Sequence, residues 1–93
     1  MSEQLSHNVF FSLTDNTDAA KTKLVEACKK YLAAHPGVVF FAAGVRGEEF
    51  QRDVNAQDWD VALHVVFQDK TSHDKYQEAD LHNQFFEENK DNL

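Results

Sequence analysis

Cysteine, basic residues and long apolar runs are all scarce in this 93-residue sequence. The one cysteine, Cys28, excludes an intramolecular disulfide and so a disulfide-stapled secreted scaffold, which makes a reducing cytoplasm the predicted location. The longest apolar run, residues 38–43, is too short to span a bilayer. Residues 1–4 also lack the basic patch and the apolar stretch of a signal peptide.

Basic residues are outnumbered, with 9 Lys and Arg against 16 Asp and Glu and a net charge of −7. A nucleic-acid-binding protein needs a basic stripe that displaces counterions, and the sequence contains none. An anionic membrane surface repels a chain of this charge. We therefore predict neither a nucleic-acid partner nor a membrane partner.

What the chain does contain is enough apolar material for one core. Hydrophobic residues make up 42 % of the sequence and include eight phenylalanines, which argues against disorder. The length predicts a single domain over residues 1–93. A domain of this size buries a modest fraction of its surface, so self-association would add useful burial.

Alternation of apolar and polar residues predicts the first and third strands, and a short run that is apolar on both faces predicts the second. Apolar residues three and four apart predict helices. The predicted strands are residues 6–13, 38–45 and 59–67, and the predicted helices are residues 17–34, 70–79 and 81–89. Pro36 and Gly37 end the first helix. The order β-α-β-β-α predicts an α+β fold with a ferredoxin-like antiparallel sheet and helices on one face.

The sheet face away from the helices is predicted to be apolar and bare. We assign Phe10, Phe41, His64 and Val66 to it, together with Val39, Ala43 and Ala62. A bare apolar face of this kind usually marks an interface, and a second copy of the chain is its commonest partner. If His64 is buried in such a dimer, acid would charge it and weaken the dimer.

Four sequence segments together carry a family resemblance. They are His7-x-Val9-x-Phe11-x-Leu13, His35-Pro36-Gly37-Val38, Asp60-Val61-Ala62-Leu63-His64-Val65-Val66-Phe67, and Tyr76 followed six residues later by His82. Over residues 6–92 the chain resembles the stress-responsive α/β-barrel domain family, also called dimeric A/B barrel proteins. The resemblance implies a ferredoxin-like protomer and a homodimer whose two sheets form a barrel. It also implies a fourth strand after the last helix, and this sequence ends at Leu93, where that strand would begin.

The resemblance also implies a candidate site. A plant polyketide cyclase of the family performs a metal-free aldol condensation with residues that correspond to His7, Tyr76 and His82. This sequence has Val61 where the cyclase has a further histidine, and Ala79-Asp80 where it has a His-Pro pair. An imidazole titrates near neutral pH and a phenol can orient a carbonyl, so the trio suits proton transfer. The same residues also suit purely structural roles at a strand end, on a helix and at the surface.

Two functions remain open on this evidence. One is a small dimeric binding or stress-associated protein without catalysis. The other is a cofactor-independent cyclase or lyase-like enzyme on a small carbonyl compound, with His82 as base, Tyr76 orienting and His7 assisting. The pocket wall is predicted to include Phe11, Trp59, Val61 and Leu63, although Trp59 also suits packing against the preceding loop.

Other chemistry has little support in the sequence. The five histidines lack close ligand spacing such as His-x-x-x-His, so neither a metal nor another cofactor is predicted. Cys28 falls on the apolar stripe of the first helix, where a buried inert thiol is expected.

Overall fold

The computed structural model of the protein describes residues 3–49 and 56–93. The predicted loop between the second and third strands falls partly outside the described residues. The elements are β1 (Leu5–Phe11), α1 (Asp18–Leu32), β2 (Val38–Val45), β3 (Val61–Phe67), α2 (Lys70–Glu78) and α3 (Asp80–Asn89), followed by a 3₁₀ turn at Lys90–Asn92.

Helix α1 begins where local hydrogen bonding predicts it. The Thr17 hydroxyl accepts a hydrogen bond from the backbone N–H of Ala20, and Asp18 places a negative charge in the first turn. Both features satisfy the positive end of a helix. After the helix, Gly37 takes a φ of +87°, which lets the chain turn into β2. The predicted stop of the first helix before Pro36 and Gly37 is thus confirmed.

Within the described residues the sheet has three antiparallel strands in the order β1-β3-β2. The central strand β3 alternates strictly, with Val61, Leu63, Val65 and Phe67 buried against the helices. Ala62, His64 and Val66 point to the opposite face, which carries no helix and is called the open face below. The ferredoxin-like arrangement predicted from the element order is confirmed.

A β-bulge in β2 corrects one prediction about the open face. The register shifts between Val38 and Phe40, so that Phe40 lies opposite Val66 and Phe41 lies opposite Val65. Phe41 therefore packs on the helix-covered core, and Phe40 is 51 % exposed on the open face. Because one extra residue inverts the facing of everything after it, simple alternation assigned Phe41 to the wrong side.

The same shift moves Ala43, which was also predicted on the open face, to a position opposite Leu63 on the core side. Val39, inside the bulge, is exposed as expected.

Strand β1 ends earlier than predicted, and its partner β3 begins later than predicted. The side-chain Oδ2 of Asp60 accepts a hydrogen bond from the backbone N–H of Leu13 at 2.8 Å. A side chain thus replaces the backbone partner that a continuing ladder would need. The strands accordingly end at Phe11 and begin at Val61, inside the predicted limits of residues 13 and 59.

The core lies between the sheet and the three helices. Its buried members come mainly from β3 and the three helices, including Leu24, Cys28 and Leu32 of α1 and Phe85 of α3, and partly buried residues of β1 and β2 pack against them. Cys28 is fully buried, and this burial raises the pKa of its thiol to about 12. The prediction of a buried, unreactive thiol is confirmed.

Candidate functional site

A cavity of about 290 Å³ lies between the sheet and the helices α2 and α3. His7 reaches it from β1, Tyr76 from α2 and His82 from α3, so the three residues of the predicted site line one space. The rest of the wall is mostly apolar and consists of Val9, Phe11, Leu32, Leu63, Gln77, Phe85, Phe86 and Leu93. A small, largely apolar molecule suits such a wall.

Tyr76 is the central side chain of this site. Only 2 % of the residue is exposed, and its ring packs edge-on against His82 with ring centroids 4.9 Å apart. The ring of His7 lies 6.1 Å from that of Tyr76. Burial, and to a smaller extent the nearby Cys28, raises the pKa of the Tyr76 phenol well above its ordinary value. The phenol is therefore a hydrogen-bond donor over the whole physiological pH range.

The hydroxyl of Tyr76 is buried and has no hydrogen-bond partner among the described residues. Buried hydroxyls are normally paired, because an unpaired one costs on the order of 1–3 kcal/mol. An unpaired donor at a cavity wall is a group that a bound oxygen atom can satisfy.

The two cavity histidines are biased toward their neutral form. Burial lowers the pKa of His7, and the neighbouring His73 and His82 lower it further. The pKa of His82 is lowered by burial and then by His35 and His73. A neutral imidazole has one donor and one acceptor nitrogen, so each can accept a hydrogen bond or a proton near pH 7.

Two further histidines lie beside the predicted site residues and were not predicted to belong to the site. The ring of His35 lies 4.9 Å from the Tyr76 ring, and the ring of His73 lies 5.2 Å from that of His7. His73 precedes Tyr76 by three residues on α2, a spacing that places both on one helix face. That spacing was visible in the sequence. The position of His35, by contrast, depends on the tertiary packing of the loop between α1 and β2.

Of the predicted pocket wall, the structure places Phe11 and Leu63 at the cavity but not Val61 or Trp59. Val61 is fully buried in the core. Trp59 lies against Phe10 on the open face, with ring centroids 5.2 Å apart, and its indole N–H donates to the carbonyl of Ala56. Because β3 begins only at Val61, the alternation that aimed Trp59 at the pocket does not extend to it. The alternative prediction, packing on the preceding loop, holds.

The open face contains a small polar cluster within an apolar surround. His64 Nε2 lies 3.0 Å from the Ser6 hydroxyl, which also accepts a hydrogen bond from the Asn8 amide. The strands contribute no Asp, Glu, Lys or Arg to this face, and Phe10 and Phe40 are 61 % and 51 % exposed on it. Three of the four residues predicted for the dimer face, Phe10, His64 and Val66, thus share one surface. That they contact a second copy stays a prediction, as does the acid sensitivity of His64.

A larger cavity of about 540 Å³ lies between the start of α1 and the C-terminal turn. Its polar groups, such as Thr17 and Asn92, are occupied by hydrogen bonds within the fold. Across residues 3–49 and 56–93 no three His, Cys, Asp or Glu side chains are grouped to hold a metal ion. No helix in this part of the chain is long and apolar enough to cross a membrane.

Comparison with known structures places the fold in the ferredoxin-like class. A dimeric ferredoxin-like protein of unknown function from Thermobifida fusca superposes with a TM-score of 0.80 at 19 % identity, covering 99 % of this chain and 83 % of that one. A Dabb family protein from Mesorhizobium loti gives 0.71 at 20 % identity, over 90 % and 79 % of the two chains. A dimeric ferredoxin-like protein of unknown function from Bacteroides fragilis gives 0.69 at 16 % identity, over 96 % and 85 %.

The family follows from the sequence profile. The Stress Responsive A/B Barrel Domain profile matches residues 5–93, and the chain belongs to this family. No curated protein matches the chain significantly. The predicted family membership is confirmed, and no reaction is assigned by these similarities.

Proposed function

We propose that the protein is a homodimeric binding protein that holds a small, largely apolar molecule in the cavity beside Tyr76. The observation that supports this most is the buried Tyr76 hydroxyl, which lacks a partner among the described residues and belongs to a side chain that lines the cavity. A ligand oxygen that accepts from this hydroxyl removes the cost of leaving it unpaired. The volume of about 290 Å³ suits a molecule with on the order of ten non-hydrogen atoms.

The ligand is proposed to be uncharged. The cavity wall within the described residues has no Lys, Arg, Asp or Glu side chain, and His7 and His82 are biased toward the neutral form. An ion would lose its hydration without gaining a side-chain partner of opposite charge. A ketone, an ester or a phenol offers the oxygen atom without that cost.

The dimer is proposed to form through the open face. Two neighbours in fold are described as dimeric, and the open face combines exposed Phe10 and Phe40 with strands that contribute no Asp, Glu, Lys or Arg. In a chain of net charge −7, an uncharged face is the surface on which two copies repel each other least. A role in a stress response, a location in the cytoplasm and a single domain over residues 1–93 stay proposals.

Native mass spectrometry of the purified protein tests the binding proposal. The wild-type protein is expected to carry an added mass whose occupancy is several-fold lower in Tyr76→Phe. Tyr31→Phe is the matched control, because Tyr31 is also buried on a helix but does not line the cavity. Equal occupancy of the same molecule in Tyr76→Phe and the wild-type protein, or an equal decrease in both variants, would contradict the proposed role of the Tyr76 hydroxyl.

A second candidate function is a cofactor-independent cyclase or lyase. It is favoured by the neutral bias of His82 and its edge contact with Tyr76. In the cyclase reaction, neutral His82 would remove a proton from a carbon between two carbonyl groups while Tyr76 donates to one carbonyl oxygen. The enolate carbon would then attack a further carbonyl group in the same molecule. The resulting alkoxide would take the proton back from His82.

The two candidate functions predict different effects of replacing His82. If the protein is a cyclase, His82→Gln retains the bound molecule but loses conversion of a 1,3-dicarbonyl compound with a further carbonyl group in reach. If the protein only binds, the wild-type chain leaves such a compound unchanged. Binding is preferred because His82 lacks a hydrogen bond to Tyr76 in the described structure, so the base is not linked to the donor.

A further inference from the structure

Four imidazoles from four parts of the fold form a cluster in which His7, His35 and His82 lie near the Tyr76 ring and His73 packs against His7. His7 comes from β1, His35 from the loop after α1, His73 from α2 and His82 from α3. His7 and His82 line the cavity, whereas His35 and His73 do not. We propose that His35 and His73 are positioning residues that keep the imidazoles of His7 and His82 uncharged and available to accept a hydrogen bond or a proton from a bound molecule. This inference rests on the proposed use of the cavity.

The position of His35 is fixed by its own hydrogen bond. Its Nε2 lies 2.7 Å from the backbone carbonyl of Tyr31, and since a carbonyl only accepts, Nε2 carries the proton. The ring then stands edge-on to Tyr76 at 4.9 Å, and His82 contacts Tyr76 at the same distance. Tyr76 is therefore in contact with both imidazoles, one fixed to the backbone and one facing the cavity.

The His73 side chain is held by contacts with Asp74 and Phe67. Its Nδ1 lies 3.2 Å from a carboxylate oxygen of Asp74, and Asp74 in turn pairs with Lys70. The His73 ring also packs edge-on against Phe67, with centroids 5.4 Å apart, which holds it 5.2 Å from His7.

The cluster offers no compensating negative charge to the cavity histidines. Around His7 stand His73, Tyr76 and His82, and its sheet neighbour Val65 is apolar. Around His82 stand Tyr76, His35 and His73. A proton on either cavity histidine would therefore sit close to other imidazoles in a partly buried space, which disfavours it.

The geometry predicts that His73 and His35 affect different cavity histidines. His73 acts on both cavity histidines: its ring lies 5.2 Å from that of His7, and it lowers the pKa of His7 and of His82. His35 acts on His82 alone, since it lies across Tyr76 from it. This difference produces a pattern that loss of packing would not produce.

Titration of the histidine ring protons by NMR, on the purified protein without added ligand, tests the inference. His73→Gln is expected to raise the pKa of both His7 and His82 beyond fitting error, and His35→Gln to raise that of His82 only. His64→Gln, on the open face, should move neither. If His73→Gln does not fold, His73→Phe keeps the contact with Phe67 and serves instead.

Unchanged pKa values in the His73 variant, or equal shifts of both histidines in both variants, would overturn the inference. Because the titration needs no ligand, its outcome is independent of whether a molecule binds beside Tyr76. Failure of the titration pattern with Tyr76-dependent binding intact would remove only the role of His35 and His73. Loss of binding with the pattern intact would remove only the proposed function.

Discussion

Exchanging either of two adjacent phenylalanines for alanine is expected to affect two different properties of the protein. Phe40 is 51 % exposed on the open face, and Phe41 packs against the core on the other side of the same strand. Phe40→Ala is expected to weaken the proposed open-face dimer and leave the monomer nearly as stable as before. Phe41→Ala is expected to lower the free energy of unfolding and to affect the dimer only indirectly.

The magnitudes follow from the exposed areas. A phenylalanine presents roughly 200 Å², so about 100 Å² of Phe40 is free to be covered. At about 25 cal/mol per Å², and allowing for what alanine retains, each copy loses roughly 2 kcal/mol and the dimer roughly 4 kcal/mol. Because area converts imperfectly to affinity, we expect the dissociation constant to rise by on the order of 10²–10³.

For Phe41→Ala, core truncations of phenylalanine cost about 3–5 kcal/mol. Phe41 is only partly buried, so the lower end of that range or slightly less is expected.

Sedimentation equilibrium gives the dissociation constant, and urea unfolding gives the monomer stability. The unfolding is measured at concentrations where each variant is monomeric, because dimer dissociation otherwise adds to the apparent stability. The reasoning is refuted if Phe41→Ala loosens the dimer more than Phe40→Ala while the monomer stability is unchanged. That result would mean that the bulge, and with it the facing of β2, is wrongly placed.

Three further outcomes are expected. Gly37→Ala should destabilise the protein by about 2 kcal/mol or more in urea unfolding, because φ is +87° and the new Cβ would overlap the side chain of Ser72; an unchanged midpoint would contradict this. Since the folded-state pKa of His7 and of His82 is lowered, stability should be full above about pH 6.5 and fall as the pH drops below it. A variant with glutamine at both positions should lose stability less steeply between pH 7.5 and 5.5, and an equal loss would refute the assignment. Tyr76→Phe should be as stable as the wild-type protein or more stable, because it removes an unpaired buried hydroxyl; a loss above about 1 kcal/mol would indicate a hidden partner.

The element order and most of the core followed from the sequence, because local patterns decide them. The strict alternation of Val61, Leu63, Val65 and Phe67 identifies a strand and its buried face without tertiary information. Thr17 and Gly37 mark the ends of α1 by local chemistry. Such features depend on residues a few positions apart.

The errors arose where a single residue changes the register or where distant segments meet. The bulge at Val38 and Phe40 has no signal in a run that is apolar on both faces, so Phe41 was assigned to the wrong side. Trp59 was placed by extending β3 two residues too far. His35 joins the site by packing against Tyr76, which lies 41 residues later in the sequence. No local sequence pattern indicates such a contact.

The central claim is that the Tyr76 hydroxyl binds an oxygen atom of a small molecule in the cavity. Acetophenone and ethylbenzene both carry a two-carbon side chain on a phenyl ring, but only acetophenone has an oxygen that can accept from Tyr76. One hydrogen bond contributes about 0.5–1.5 kcal/mol, so the wild-type protein should bind acetophenone roughly 2- to 12-fold more tightly than ethylbenzene. Titration calorimetry of both compounds with wild-type protein and Tyr76→Phe is the most direct measurement. The account predicts a preference that disappears in Tyr76→Phe, and it is contradicted if the preference persists there or if neither compound binds the wild-type protein.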